Sequence, residues 1–158
     1  MMLRILTLCH GNICRSPLAA ALIDAAIGAD PRLAGRVTVS SAGTSDEHVG
    51  EAMHPNSAAI LSARGLPTTH HARHFTPALA ANQDLVLAAD RFNLRDGRTT
   101  IRMGGGRAEI RLLRDFDPTA VGRDLDDTWG HPSTAYERVA TEIAAAIPGL
   151  LAELRDRL

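Results

Sequence analysis

Short apolar runs alternate with helix-like segments along the whole chain. The run at residues 84–89 is apolar almost throughout and shows no alternation of polar and apolar residues, which is typical of strands buried on both faces of a parallel sheet. We predict four such strands, at residues 3–8, 37–41, 84–89 and 110–113. The helical segments between them would cover both faces of the sheet. The pattern therefore predicts an α/β fold, a three-layer sandwich in which a four-stranded parallel sheet lies between helices.

Proline, serine and glycine residues set the predicted helix bounds. Helices are predicted over residues 16–28, 55–65, 76–81 and 132–151, with one or two helical turns at 90–96. At the first helix, Ser16 is expected to cap an unpaired N–H group and Pro17 to occupy the first turn. Pro148 and Gly149 are expected to kink or break the last helix, because proline removes a helical hydrogen bond. Glycines make residues 97–109 a predicted flexible region.

Length and charge limit the classes of protein. The 158 residues fit a single domain, predicted to span residues 1–158. With 17 basic and 18 acidic side chains, the net charge of −1 supplies no global field to recruit nucleic acid or an anionic membrane. The first apolar run is too short for a signal peptide, and none approaches the ~18 apolar residues of a membrane span. We therefore expect a cytoplasmic protein.

The candidate chemistry is concentrated in residues 9–17, between the first predicted strand and the first predicted helix. This segment reads Cys9-His10-Gly11-Asn12-Ile13-Cys14-Arg15-Ser16-Pro17. A helix N-terminus offers unpaired N–H groups and a positive dipole end, which together suit a bound oxyanion. The same environment, with an arginine nearby, favours the nucleophilic thiolate form of a cysteine. Cys9 is therefore a candidate nucleophile, and Arg15 a candidate bidentate ligand for two oxygens of a tetrahedral anion.

The segment also resembles the signature loop of the low-molecular-weight protein tyrosine phosphatases, Cys-x5-Arg-Ser close to the N-terminus. We call residues 9–17 the phosphate loop. The resemblance implies a phosphatase that forms a cysteinyl-phosphate intermediate. It implies that phosphate is bound by residues His10, Gly11, Asn12, Ile13, Cys14 and Arg15. Ser16 would support the thiolate, and Asn12 would hold the curl of the loop.

Other segments extend this resemblance across most of the chain. Residues 40–44, Ser-Ser-Ala-Gly-Thr, are similar to the family's Ser-Ala-Gly-Thr, in which Ser41 would hydrogen-bond the phosphate loop. Residues 70–73 resemble its His-x-Ala-Arg, and residues 90–96 its Asp-x-x-Asn-Leu-Arg-Asp. These positions are expected to support the site.

Residues 124–130, which we call the acid loop, resemble the family's Asp-Pro-aromatic segment. Expulsion of an alkoxide or phenoxide from phosphorus needs a proton donor, and the resemblance gives this role to Asp127. Trp129 would wall the slot for an aromatic leaving group. Thr128 stands where the family usually has proline, so Asp126 remains an alternative acid. The other interpretation of these aspartates is a solvated acidic turn.

Two positions bear on the substrate. Glu47 stands where the family often has an aromatic residue, so one wall of the phosphotyrosine slot is altered. Family members that act on phosphoarginine carry threonine where this chain has Ile13, and the aliphatic side chain favours an aryl phosphate. Arsenate reduction through a thiol relay is disfavoured, because no cysteine follows Cys14. A catalytically weakened anion-binding module is the remaining alternative.

Cys14 has two interpretations, a small packed side chain or a redox partner that forms a reversible disulfide with Cys9. The histidines at 70, 71 and 74 and the trio Cys9, His10 and Cys14 are poor candidates for a zinc site. We expect no metal and no cofactor. The expected partner is a phosphorylated protein substrate, with no nucleic acid and no membrane. We expect a monomer or weak self-association.

Overall fold

The computed structural model describes residues 1–158 and contains one four-stranded sheet. All three strand pairings are parallel, and the strand order is β2-β1-β3-β4. The strands are β1 (Leu3–Cys9), β2 (Val37–Gly43), β3 (Leu85–Ala88) and β4 (Glu109–Leu112). The predicted four-stranded parallel sheet is confirmed.

Helices cover both faces of this sheet. They are α1 (Arg15–Gly28), α2 (Pro55–Ala63), α3 (Pro77–Ala81), α4 (Arg91–Met103) and α5 (Ser133–Arg157), with a short 3-10 helix at Leu113–Phe116. α1 and α5 lie on one face and α3 and α4 on the other, which confirms the three layers. None of these helices is long and apolar enough to cross a membrane.

The central strand β1 divides its side chains between two cores. Leu3, Ile5 and Cys9 belong to the larger core, which β1 shares with α1 and α5. Leu6 and Leu8 belong to the smaller core under α3 and α4. Successive strand side chains point to opposite faces, so this alternation places the Cys9 side chain on the α1 side. Each buried leucine or isoleucine here contributes about 1.5–3 kcal/mol of transfer free energy.

Helix α4 is longer than the one or two turns predicted at residues 90–96, and it includes Gly97. The prediction of a flexible region beginning at Gly97 is wrong for residues 97–103. A Cβ atom at Gly97 would come within 2.6 Å of Ile110 Cδ1 and 2.8 Å of Leu8 Cδ2. The glycine is thus required for close packing of α4 on the sheet, a contact that is distant in sequence.

Helix α5 continues through Pro148 and Gly149 without a break. The prediction of a break is wrong, because the packing of the helix outweighs the one hydrogen bond that proline removes. Gly149 lies against the backbone of Phe116, whose carbonyl oxygen occupies the space that a Cβ atom would need. The Pro-Gly pair therefore marks a close helix contact rather than a helix end.

The chain changes direction across the sheet at β1. β2 lies on one side of β1, whereas β3 and then β4 lie on the other. In open α/β sheets such a switch point leaves a crevice beyond the carboxyl ends of the strands, where ligands bind. The phosphate loop follows β1 at this crevice.

Candidate active site

A pocket of about 220 Å³ opens at the carboxyl end of β1. It is lined by Cys9, His10, Gly11, Ile13, Cys14, Arg15, Glu47, His48, Asp127 and Trp129. Cys9, Arg15, Asp127 and Trp129, which are distant in sequence, thus meet in one pocket. A larger groove of about 540 Å³ lies behind the loop against α1 and β2, and it contains neither Cys9 nor Arg15.

The phosphate loop has an unequal distribution of hydrogen bonds. None of the backbone N–H groups of residues 10–14 donates a hydrogen bond within the chain. Its carbonyl groups, in contrast, accept hydrogen bonds from outside the loop. The donors are Ser45 N to His10 O, His70 Nε2 to Asn12 O, His54 N to Ile13 O and Ser57 Oγ to Cys14 O. The loop therefore keeps donors free and engages its acceptors elsewhere, which suits a tetrahedral oxyanion.

Ser16 belongs to the first turn of α1 rather than to its cap. The helix begins at Arg15, and no side chain caps it, so the predicted capping role of Ser16 is wrong. Its hydroxyl oxygen lies 2.9 Å from Cys9 Sγ. Both side chains are buried. Ser16 is therefore placed to donate a hydrogen bond to a Cys9 thiolate, the alternative that the sequence left open.

Asn12 lies at the centre of a buried hydrogen-bond network. It is the only residue other than glycine with a positive φ, at 59°, so it bends the loop in the left-handed region that asparagine tolerates. Its Nδ2 donates to Ser16 Oγ at 2.8 Å and to Ser41 Oγ at 2.9 Å, and its Oδ1 accepts from Arg73 N at 2.9 Å. With Asn12 fully buried, these bonds fix the curl of the loop from behind.

Arg15 is held by two acceptors that lie beyond the strand ends. Its Nη1 donates to Asp90 Oδ2 at 2.8 Å and to the Leu125 carbonyl at 2.8 Å. Burial alone lowers the pKa of the guanidinium, but Cys9 and the Asp90 carboxylate outweigh burial and raise the pKa above its ordinary value. Arg15 is therefore a fixed positive charge, and its orientation depends on Asp90, whose role the sequence did not specify.

The histidines at 70, 71 and 74 do not form a metal site. His70 Nε2 bonds the Asn12 carbonyl at 2.7 Å, and burial lowers the pKa of His70, so its neutral form is favoured. His74 instead bonds the Thr44 carbonyl at 3.2 Å. No three His, Cys, Asp or Glu side chains converge in a geometry that could hold a metal ion. His70 thus supports the phosphate loop.

The acid loop brings only one of its candidate acids to the pocket. Asp127 lines the pocket, and its Oδ1 accepts a hydrogen bond from Trp129 N at 3.1 Å. Asp126 faces a different cleft, where its carboxylate lies 3.9 Å from Arg138 Nη2. Thr128, which follows Asp127, is buried, so it anchors the loop at the position where the family usually has proline. Asp127 is therefore better placed than Asp126 to donate a proton to a leaving group in this pocket.

The His48 ring lines the pocket beside Glu47, at the wall where the sequence lacks the family's aromatic residue. The His48 and Trp129 ring centroids are 5.5 Å apart, and His48 packs on Gly11, where a Cβ atom would come within 2.8 Å of its ring. His54 stacks on Tyr136 at 4.9 Å and meets Trp129 edge-on at 5.9 Å. The sequence did not indicate a role for His48, His54 or Tyr136. Tyr136 could have been singled out from the sequence, because it is the single tyrosine of the chain.

Cys14 faces away from solvent toward α5. Its Sγ lies 3.5 Å from Tyr136 Oη, and both side chains are buried. Burial raises the pKa of the Cys14 thiol, and burial with the Cys14 contact raises the pKa of the Tyr136 phenol. Both groups are therefore neutral at physiological pH. Cys14 and Cys9 are both free thiols.

Comparisons with known proteins agree with this geometry. The family model of the low molecular weight phosphotyrosine protein phosphatases matches residues 4–158. A low molecular weight protein-tyrosine-phosphatase of Streptomyces coelicolor is 37% identical over 100% of this chain and 97% of its own length. The low molecular weight protein-tyrosine phosphatase A of Mycobacterium tuberculosis is 36% identical over 99% of this chain and 94% of its own length.

A solved structure extends the agreement to three dimensions. The crystal structure of YfkJ from Bacillus subtilis matches with a TM-score of 0.87 and 27% identity, over 99% of this chain and 97% of that chain. The family match over residues 4–158 includes the phosphate loop and the acid loop. On these grounds the chain belongs to the low molecular weight phosphotyrosine protein phosphatase family, a family of hydrolases.

Proposed function

We propose that this protein hydrolyses aryl phosphate monoesters, above all protein phosphotyrosine, through a cysteinyl-phosphate intermediate. The observation that carries this proposal is the phosphate loop itself, whose N–H groups at residues 10–14 are free while its carbonyls are engaged elsewhere. This loop surrounds a candidate nucleophile, Cys9, and a buried cation, Arg15. The names of the relatives support the same substrate class.

In the first step Cys9 Sγ attacks phosphorus in line with the departing phenolic oxygen. The sulfur–phosphorus bond forms as the phosphorus–oxygen bond breaks, and Asp127 donates its proton to the leaving oxygen. Arg15 and the free N–H groups hold the equatorial oxygens, which carry the negative charge of the transition state. A carboxyl group at the rim of the pocket is suited to this role, because it reaches the leaving group without facing the phosphate.

In the second step a water molecule attacks the cysteinyl-phosphate. Asp127, now a carboxylate, accepts a proton from this water, and the Cys9 thiolate leaves. Ser16, whose hydroxyl lies 2.9 Å from Cys9 Sγ, stabilises the departing thiolate by a hydrogen bond. Inorganic phosphate is then released and the loop returns to its free state.

The walls of the pocket support an aryl ester over phosphoarginine or arsenate. Trp129 and His48 offer aromatic faces to a phenyl ring. Ile13, which lines the same pocket, offers no hydroxyl to a guanidinium leaving group. We therefore expect hydrolysis of phosphotyrosine to be faster than that of phosphoarginine, and arsenate to act as an inhibitor without turnover.

The test is hydrolysis of a phosphotyrosine peptide, compared with phosphoarginine and arsenate under the same conditions. Cys9→Ser is expected to abolish phosphate release, a loss of at least about a thousandfold. Rapid acid quenching of the wild-type reaction should trap a phosphorylated protein that mass spectrometry maps to Cys9. Undiminished hydrolysis by Cys9→Ser would rule out the mechanism, and faster release from phosphoarginine would change the substrate class.

We infer a protective redox role for Cys14. Peroxide removes two electrons from the Cys9 sulfur to give a sulfenic acid, and the Cys14 sulfur then displaces water to form a disulfide. An external dithiol restores both thiols. Both cysteines line the same pocket, and both are free thiols. Peroxide inactivation should be reversible in the wild type and irreversible in Cys14→Ser, and equal reversibility would contradict this role.

We also propose that the protein acts in the cytoplasm as a monomer or a weakly self-associating chain. Its two cysteines are free and both lie in the phosphate loop, which suits a reducing compartment. Cell fractionation tests the compartment, and light scattering across a range of concentrations tests the self-association. A stable dimer at low concentration would contradict the second statement.

A further inference from the structure

Glu47 lies at the mouth of the pocket, on the segment between β2 and α2. It lines the pocket together with His10, Trp129 and Asp127. The side chains of His10 and Glu47 are 57% and 64% exposed, and His10 Nε2 lies 3.7 Å from Glu47 Oε1. Cys9 and Arg15, which would hold the phosphate, are both almost fully buried. Glu47 therefore lies at the solvent end of the pocket and away from the reacting atoms.

The negative charge of Glu47 lacks a permanent counter-ion. Its one ion-pair partner is His10, which is a cation only when protonated. The neighbouring carboxylate Glu51 has its own partner, His48 Nδ1, at 2.8 Å. The whole stretch of residues 37–63 contains no arginine or lysine. Glu47 therefore lies in a segment whose charged side chains, apart from histidines, are all carboxylates.

The way a phosphotyrosine binds in the pocket decides which part of the substrate lies near Glu47. With the phosphate on the phosphate loop and the ring packed against the pocket-lining Trp129 and His48, the peptide backbone would leave the pocket at its mouth. Residues directly beside the phosphotyrosine then pass Glu47. A long cationic side chain at such a position can reach an exposed carboxylate, whereas an acidic one is repelled.

We propose that Glu47 selects phosphotyrosine substrates that carry arginine or lysine next to the phosphotyrosine. This inference rests on the proposed phosphotyrosine phosphatase function and names the class of peptide that the site prefers. Exposed ion pairs are weak and screened by salt. The expected preference is therefore modest, about two- to fivefold in kcat/KM at low ionic strength, and smaller at high ionic strength.

The experiment compares two phosphotyrosine peptides that differ at a single flanking position, arginine in one and glutamate in the other. Wild-type protein should hydrolyse the arginine peptide with the higher kcat/KM. Glu47→Gln should bring the ratio of the two values close to one, and Glu47→Arg should reverse it. Asp46→Asn is the matched control, because it removes the same charge one residue away at a side chain that does not line the pocket.

The outcomes distinguish a failure of the role proposed for Glu47 from a failure of the proposed phosphatase activity. Asp46→Asn should keep both the wild-type ratio and the wild-type rate on p-nitrophenyl phosphate. A wild-type ratio near one, or a ratio that survives in Glu47→Gln and Glu47→Arg, would overturn the role of Glu47 even though the phosphatase is active. Absence of hydrolysis of every aryl phosphate by the wild type would instead overturn the proposed function.

Discussion

The phosphate loop and the acid loop form opposite sides of one pocket but are built differently. In the phosphate loop, Asn12 is 0% and Arg15 3% exposed, and their side chains are hydrogen-bonded to other parts of the chain. In the acid loop, Trp129 is 56% exposed and Asp127 makes one hydrogen bond, to a backbone N–H group two residues away. The side chains of the phosphate loop are fixed by buried hydrogen bonds, whereas the pocket-facing side chains of the acid loop, Asp127 and Trp129, are exposed.

This difference follows from what each side must do. The phosphate group is the same in every substrate, so donors that are fixed before binding stabilise its transition state without a reorganisation cost. The leaving group varies between substrates and has to enter and depart, which exposed side chains such as Asp127 and Trp129 permit. Substitutions on the two sides should therefore have effects of different size and kind.

Arg15→Lys should give the largest effect of the four substitutions considered below. Lysine keeps the positive charge but loses the planar fork, and its three donors cannot bond Asp90, Leu125 and two phosphate oxygens together. We expect kcat to fall by about 10²–10³-fold, as for the loss of a transition-state donor. Stopped-flow phosphate release measures this, and the exposed Arg95→Lys serves as the control. A loss below tenfold would mean that charge alone suffices.

Asp127→Asn should slow turnover by about 10²-fold on phosphotyrosine, because the phenoxide then leaves without a proton. The loss should be smaller on p-nitrophenyl phosphate, whose leaving group needs less protonation. Asp126→Asn, which removes a carboxylate outside the pocket, should change kcat by less than about threefold. Steady-state kinetics of the two variants on both substrates decide between Asp127 and Asp126, and a larger loss in Asp126→Asn would assign the acid role to Asp126.

Asn12→Gly should act on stability. Glycine tolerates the positive φ at this position, so the backbone is not strained, but three side-chain hydrogen bonds are lost. We expect the free energy of unfolding to fall by about 2–3 kcal/mol, since two hydroxyls and one N–H group lose a buried partner. Urea denaturation measures the change. An unchanged free energy of unfolding would contradict the role of the Asn12 hydrogen bonds in fixing the phosphate loop.

Trp129→Ala should give the smallest of these effects. Its ring is more than half exposed, so its removal should leave the melting temperature nearly unchanged. The loss of one aromatic wall should raise KM for phosphotyrosine by about two- to tenfold, as for an aromatic pair worth roughly 0.5–1.5 kcal/mol. A smaller loss is expected for an alkyl phosphate. Equal losses on both substrates would show that Trp129 orders the acid loop instead.

The sequence predicted the features that depend on neighbouring residues. β1 and β3 are mainly apolar runs, and the phosphate loop is a contiguous segment between a strand and a helix, so these features were accessible from local pattern. The extent of α4 could not be predicted in this way. Gly97 suggests a flexible segment by itself, and only its contact with Leu8, distant in sequence, explains why it lies within a helix. The support of Arg15 by Asp90 was missed for the same reason, since 75 residues separate the two side chains.

The hydroxyl of Ser16 has one proton and two acceptors within reach, Cys9 Sγ at 2.9 Å and the Ala42 carbonyl at 3.3 Å, while its oxygen accepts from Asn12. A thiolate is the better acceptor, so the proton points to sulfur before attack. Once sulfur carries the phosphoryl group, its charge is gone and the proton turns to the carbonyl. In the proposed mechanism, each turnover would therefore rotate the Ser16 hydroxyl toward sulfur and back to the carbonyl, while the heavy atoms of Asn12 and Ser16 stay in place.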